Sequence, residues 1–169
     1  MLGLSFLLAA AAGPSAASPE PPDIRDLSVF ATYTAYASFQ PGRIQVDIGT
    51  TGGVGPDRRY WFIRSPRDRG GKRIGRSDYT SSTLCPQAMA KLRDLEHLDM
   101  PRPDVPGTGD EETVIVLDGV LYTLRGWARH ADGQLGEYSI ESNVGSPLAR
   151  WIDSMSDALE QCWRPLPKR

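Results

Sequence analysis

Thr113–Ser142 reads TVIVLDGVLYTLRGWARHADGQLGEYSIES, and its period of two decides the class of fold. Thr113–Leu117 is a run of β-branched and aliphatic residues, and Asp118-Gly119 directly after it is the dipeptide of a tight two-residue hairpin. From Val120 to Arg129, Val120, Tyr122 and Leu124 alternate with Thr123, Arg125, Trp127 and Arg129. A second turn at Ala131-Asp132-Gly133 leads into Leu135–Ser142, where Tyr138 and Ile140 point one way and Glu137, Ser139 and Glu141 the other. The segment predicts a three-stranded meander with one apolar and one wet face, with Glu137 and Glu141 beside Arg125 and Arg129 on the wet side.

The same period recurs upstream. Leu27–Ser38 is rich in β-branched and aromatic residues, and after the turn Gln40-Pro41-Gly42 the residues Ile44, Val46 and Ile48 alternate with Gln45, Asp47 and Gly49. A third strand is expected over Arg58–Ser65; its centre, Tyr60-Trp61-Phe62-Ile63, is apolar on both faces and leaves the inward side open. The glycine-rich Thr50–Pro56 between them reads as a turn and not a phosphate cradle, because no Lys-Ser/Thr follows and the next element is a strand.

Period 3.6 replaces period two in two places. Cys85, Ala88, Met89, Leu92 and Leu95 form one stripe of a helix with Pro86 in its first turn and Thr83 or a neighbouring serine as its cap. Met100–Glu112 is a proline-rich surface loop. Ser146 caps and Pro147 opens a second helix whose stripe is Leu148, Trp151, Ile152, Met155, Leu159 and Cys162. The expected fold is therefore α+β: an antiparallel sheet of about six strands in the order βββα-βββα, with both helices packed on one face. Antiparallel helices put Cys162, at the end of one, beside Cys85, at the start of the other.

That pairing needs an oxidising compartment, and the amino terminus points to one. Met1–Ala17 holds an apolar run of about a dozen residues, then Gly13-Pro14, then Ser15-Ala16-Ala17, the layout of a secretory signal cleaved after Ala17. The run is too short to span a bilayer, so no transmembrane segment remains after cleavage. Residues 18–25 read as an extended proline-rich linker, 26–165 as one α+β domain and 166–169 as a tail. In a secreted or periplasmic chain, two cysteines outside any Cys-x-x-Cys motif are expected to form one disulfide.

Composition excludes several functions. The formal charge of -2 over 169 residues makes sequence-specific nucleic-acid binding unexpected, and two cysteines outside any Cys-x-x-Cys pair, with two isolated histidines, do not have the ligand spacing of a closed zinc, haem or iron–sulfur centre. No metal or cofactor is expected. Charge is nevertheless unevenly placed: Asp57–Arg76 carries eight basic side chains and two acids, while Asp94–Asp118 carries eight acids and one base. Arg58, Arg59, Arg64, Arg67, Arg69, Lys72, Arg73 and Arg76 flank Tyr60 and Trp61, a composition suited to phosphate, sulfate or carboxylate. Trp127 among charged neighbours is the second surface of interest. The candidate ligand-binding residues are thus these eight cations with Trp61 and Trp127.

For catalysis the chain offers only His130 beside Asp132 as a base with a carboxylate, and no Gly-x-Ser-x-Gly elbow; His97 lies late in the first helix, where it reads as a surface residue. The expected function is an exported, small, non-catalytic binding or interaction module whose partner is a protein or an anionic ligand of the cell envelope. The alternatives are a small secreted hydrolase using His130 and Asp132, and a protein inhibitor or envelope assembly factor.

Overall fold

A computed structural model describes residues 23, 26–37, 40–52, 55, 58–99 and 119–167 of the chain. The elements run β1 (Ser28–Ala37), β2 (Gly42–Thr51), β3 (Arg59–Asp68), β4 (Asp78–Ser81), α1 (Ala88–Asp94), β5 (Val120–Arg129), β6 (Leu135–Ser142), α2 (Pro147–Leu159) and β7 (Arg164–Pro165). The strands form one antiparallel sheet in the order β6-β5-β1-β2-β3-β4-β7.

The alternation of β1, β2 and β5 is what divides the sheet into two faces. Tyr33 stands opposite Val46 on one side and Leu124 on the other, and Ala31 pairs with Ile48, which pairs with Phe62. These side chains share one face and one core with Leu148, Ala149, Trp151, Ile152, Met155 and Leu159 of α2 and with Ala88 and Leu92 of α1. Ser146 caps α2 as expected, its hydroxyl accepting from Ala149 N at 3.0 Å, with Pro147 in the first position. The α+β class, the antiparallel sheet, the two helices on one face and the Cys85–Cys162 disulfide, with Cα atoms 5.6 Å apart, are all present.

Strand number and order differ from the expectation. Among the described residues there are seven strands, with Asp78–Ser81 and Arg164–Pro165 each adding a short one at the β3 edge. Four residues and two residues are too few to display a period. The strand expected over Thr113–Leu117 lies outside the described residues. On the side away from β6, β5 pairs with β1 over seven residues, a contact between segments some ninety positions apart that no hairpin signal announces. Residues 1–22, 24–25 and 168–169, which include the expected signal and most of the expected linker, also fall outside the described residues.

Helix α1 is shorter than its stripe suggests. Ser81 Oγ accepts from Leu84 N, and Ala88 N and Met89 N reach Cys85 O and Pro86 O, three residues back, so a tight turn precedes the α-helix. Neither Thr83 nor a serine caps it; its first position follows Gln87, whose amide instead donates to Ala158 O near the end of α2. The helices are tied again where Trp151 Nε1 donates to Lys91 O at 2.8 Å.

The open orientation of β3 is settled by its neighbours. Phe62 enters the helix-side core, while Trp61 and Ile63 turn to the other face and form a second cluster with Leu27, Tyr79, Leu84 and Leu166. Leu27 lies directly over Gly49, where a Cβ would meet it at 2.6 Å.

The disulfide closes a loop across 77 positions. Replacing both Cys85 and Cys162 with Ala is expected to lower unfolding free energy by about 4 kcal/mol, the chain-entropy value for such a loop, and to raise the denaturant m-value, because the unfolded chain without the crosslink is more expanded. Urea titrations of the oxidised protein and the double variant measure it.

Candidate functional site

The eight basic residues of Asp57–Arg76 do not converge, because the three that β3 carries, Arg59, Arg64 and Arg67, are spread along a strand that sends its side chains to opposite faces, and the other five lie before or after it. Arg59 opens β3 and Arg67 lies eight residues on, roughly 26 Å away in an extended chain. Arg64 faces the helices: its Nε and one terminal nitrogen donate to Asp78 Oδ2 at 3.1 and 2.9 Å, the other to Glu160 at 3.4 Å, and its guanidinium lies 4.7 Å from the Trp163 ring centre. Arg76 is exposed and reaches Leu166 O. Trp61 is 2% exposed, its indole nitrogen donating to Thr51 Oγ1, so it belongs to the second core and offers no ligand surface.

What register does assemble is a row that sequence proximity hides. Arg67 pairs directly with Arg43 of β2 and, through an isolated bridge across the β3–β4 hairpin, with Arg73. The three stand side by side on the face away from the helices, with Cβ atoms about 5 Å apart as cross-strand pairs require. One step past the bonded pair Ala35–Ile44, the half-buried Tyr36 stands next to Arg43 in the same row. Arg69 and Lys72 are exposed in the hairpin loop, beside an open depression of about 530 Å³ lined by Pro41, Asp68, Arg69 and Gly70.

The loop holds the row in place. Asp68 Oδ1 accepts from Lys72 N, Arg67 donates to Gly71 O, and Gly71 has φ +84°, a left-handed conformation that glycine adopts without strain. A Cβ at Gly71 would lie 3.1 Å from an Arg43 terminal nitrogen, so two guanidinium groups converge on this one residue. Among the described residues no carboxylate lies within ion-pair distance of Arg43, Arg67, Arg69, Lys72 or Arg73, and the Nε atoms of Arg43 and Arg67 are buried without a hydrogen-bond partner. Like charges about 6 Å apart repel by about 0.7 kcal/mol per pair even in bulk water. The arrangement is able to hold an anion, which would remove that repulsion.

Arg43 is the member sequence reasoning missed; it lies 24 positions before Arg67 and only the β2–β3 register joins them. Trp127, 58% exposed, is separate from the row: it lies three strands away and near the Trp61 end of the sheet, about 20 Å along the strand direction. No cation lies over its ring among the described residues. Glu137 is opposite Trp127 and Glu141 opposite Thr123, so neither glutamate faces Arg125 or Arg129, which are paired with Ser139 and Leu135. The five-residue turn after Arg129 sets that offset, with His130 N bonded to Gln134 O and Arg129 reaching Gly133 O.

His130 and Asp132 share this exposed turn without forming a dyad. Asp132 Oδ1 accepts from Gln134 N, and the His130 ring lies against Gly136. The acidic counterpart of the basic stretch is described only in part: Asp94 pairs with Lys91, and residues 100–118 lie outside the described residues. Among the described residues no group of three His, Cys, Asp or Glu side chains could hold a metal, and no helix is long and apolar enough to cross a membrane.

Comparison of the chain with known protein families, with curated proteins and with solved structures finds no match.

The most perturbed titratable group lies on the helix side. Burial pushes the Tyr33 phenol up to about 12, against a smaller lowering influence from Ser156 and from the positive charge of Arg64; Tyr122, through burial and then its hydrogen bond to Asp153, and Tyr138, through burial, are raised as well. The unfolded chain loses these protons near pH 10 while the native state keeps them, so stability is unaffected below pH 10 and falls between pH 10 and 12. The slope contributed by Tyr33 approaches about 1.4 kcal/mol per pH unit. Urea midpoints at pH 9, 10 and 11 are expected to fall less steeply in Tyr33→Phe than in the wild type.

Proposed function

We propose that this chain is an exported, non-catalytic binding module that takes an anionic ligand, carrying phosphate or sulfate groups, on the row formed by Arg43, Arg67 and Arg73 with Arg69 and Lys72 at its end. The observation that carries the reading is the direct cross-strand pairing of Arg67 with Arg43 and Arg73 in the absence of a described carboxylate partner. Folded proteins avoid opposed like charges on a sheet unless something offsets them. Five cations with one nearby carboxylate, Asp68, itself occupied by the Lys72 amide, favour a multiply charged ligand over a single carboxylate.

Export is the second half of the proposal. It is supported by the apolar Met1–Ala12 run with its small-residue cleavage site and by the Cys85–Cys162 disulfide, which the reducing cytosol would not maintain. Mass spectrometry of the protein made in its own host is expected to find Ser18 as the first residue and no free thiol; residues 1–17 retained with both thiols free would reject export.

The ligand reading is tested by titrating long-chain polyphosphate and heparin into the oxidised protein. Changing Arg67, Arg69, Lys72 and Arg73 to Glu is expected to weaken binding at least tenfold, and Arg43→Gln several-fold. Reversing Arg125 and Arg129 at the other side of the sheet is expected to leave it within twofold. Equal affinity in all variants would remove the polyanion site. Binding by the wild type should also fall as salt is raised.

A further inference from the structure

A second concavity opens on the helix side of the sheet, away from the arginine row. It encloses about 260 Å³ between β1, β2, the Arg64 side chain and the end of α2, and its lining includes Tyr33, Ala35, Ile44, Val46, Glu160 and Trp163. Ala35, Ile44 and Val46 make an apolar floor, and Ile44 is 47% exposed at its rim. The Trp163 ring, carrying the Arg64 guanidinium on its face, forms one wall.

Tyr33 is the group this cleft leaves unexplained. Its side chain is 3% exposed, its ring is clamped edge-on by Trp151 at 5.7 Å, and its hydroxyl has no hydrogen-bond partner. Ser156 is near, but its own hydroxyl donates to Ile152 O, and no hydrogen bond of normal geometry joins it to Tyr33. Buried hydroxyls without partners are uncommon, since the lost hydration is not replaced. The charged groups beside it are, by contrast, already matched: Arg64 gives two hydrogen bonds to Asp78 and a longer one to Glu160. With two carboxylates around one guanidinium there is no surplus positive charge for an anion, and Asp78 is not free for a cation.

We infer that this cleft binds a small, uncharged, largely apolar molecule bearing a carbonyl group, with its body on Ala35, Ile44 and Val46 against Trp163 and its carbonyl oxygen accepting from the Tyr33 hydroxyl. The phenol stays protonated at every physiological pH and so presents a donor. Tyr33 lines the cleft as a buried residue, and the wall that yields is Glu160, whose 71% exposed side chain holds Arg64 only at 3.4 Å. A pocket of this size, apolar with one convergent polar group, fits a ligand of few atoms bound weakly and oriented by one hydrogen bond. This inference does not depend on the polyanion reading, because it uses the opposite face and none of the same residues.

The test uses three probes with one ring and different heads: benzamide, benzoate and benzylamine. Heteronuclear NMR follows the Trp163 indole N–H and the Ile44 methyl signals of the oxidised full chain. Benzamide is expected to shift both saturably in the millimolar range, at least fivefold tighter than benzoate or benzylamine. Tyr33→Phe should weaken benzamide about fivefold or more, and Ile44→Glu, a change at an exposed rim position, should abolish the shifts. In the ligand-free protein, Tyr33→Phe should leave the melting temperature at neutral pH unchanged or raise it by about 2 °C, because it removes a hydroxyl that nothing satisfies. No saturable shift, a charged probe binding as tightly, unaltered affinity in Tyr33→Phe, or a lowered melting temperature showing that the hydroxyl is satisfied internally would each overturn the inference.

Discussion

The seating of α2 on the central strands is the constraint from which the other features follow. Leu148, Trp151, Ile152, Met155 and Leu159 are each at most 5% exposed and press on Tyr33, Val46, Ile48, Phe62 and Leu124. Each such side chain contributes about 2 kcal/mol by leaving water, so the helix is held chiefly by this stripe and not by its own propensity. Trp151 couples the layers, with its ring against Tyr33 and its indole N–H on the Lys91 carbonyl of α1. The disulfide then fixes the end of the helical pair at which α1 begins and α2 finishes.

Placing both helices on one side leaves the two faces of the sheet with different tasks. On the far face the β3–β4 region gains an apolar cover, from Trp61, Ile63, Tyr79 and Leu27 with Leu84 and Leu166. Elsewhere that face carries a polar array in which Thr32 and Gln45 both donate to Asp47, and the arginine row at its end. On the near face, α2 ends before it has covered the edges of Ala35 and Ile44, and the chain turns through Trp163 into β7. The cleft beside Tyr33 is the space left by that ending.

Much of the framework could be read from side-chain periods. Alternation marked β2, β5 and β6, β-branched and aromatic composition marked β1 and β3, and Ser146-Pro147 with the stripe down to Cys162 marked α2, because strands and helices that bury side chains record it in their sequences. The short strands β4 and β7 left no period to detect. The basic stretch was legible as composition but not as a surface: its cations divide among the two ends and both faces of β3, and Arg64 turns out to serve Asp78 and Trp163. Arg43 and Tyr33 carried no local signal, since neither motif nor spacing distinguishes them from other strand residues.

Local order, then, was written in the chain itself: where the long strands and the two helices form, which stripe the alternating strands and the helices bury, and that Cys85 and Cys162 belong to opposite ends of neighbouring helices. The reason is that hydrophobic burial is short-ranged in sequence once the period is set. Which strands become neighbours, and therefore which charges stand together, was decided only in three dimensions. The pairings of β1 with β5 and of Arg43 with Arg67 depend on register between distant segments, and register is a property of the assembled sheet that no single strand encodes.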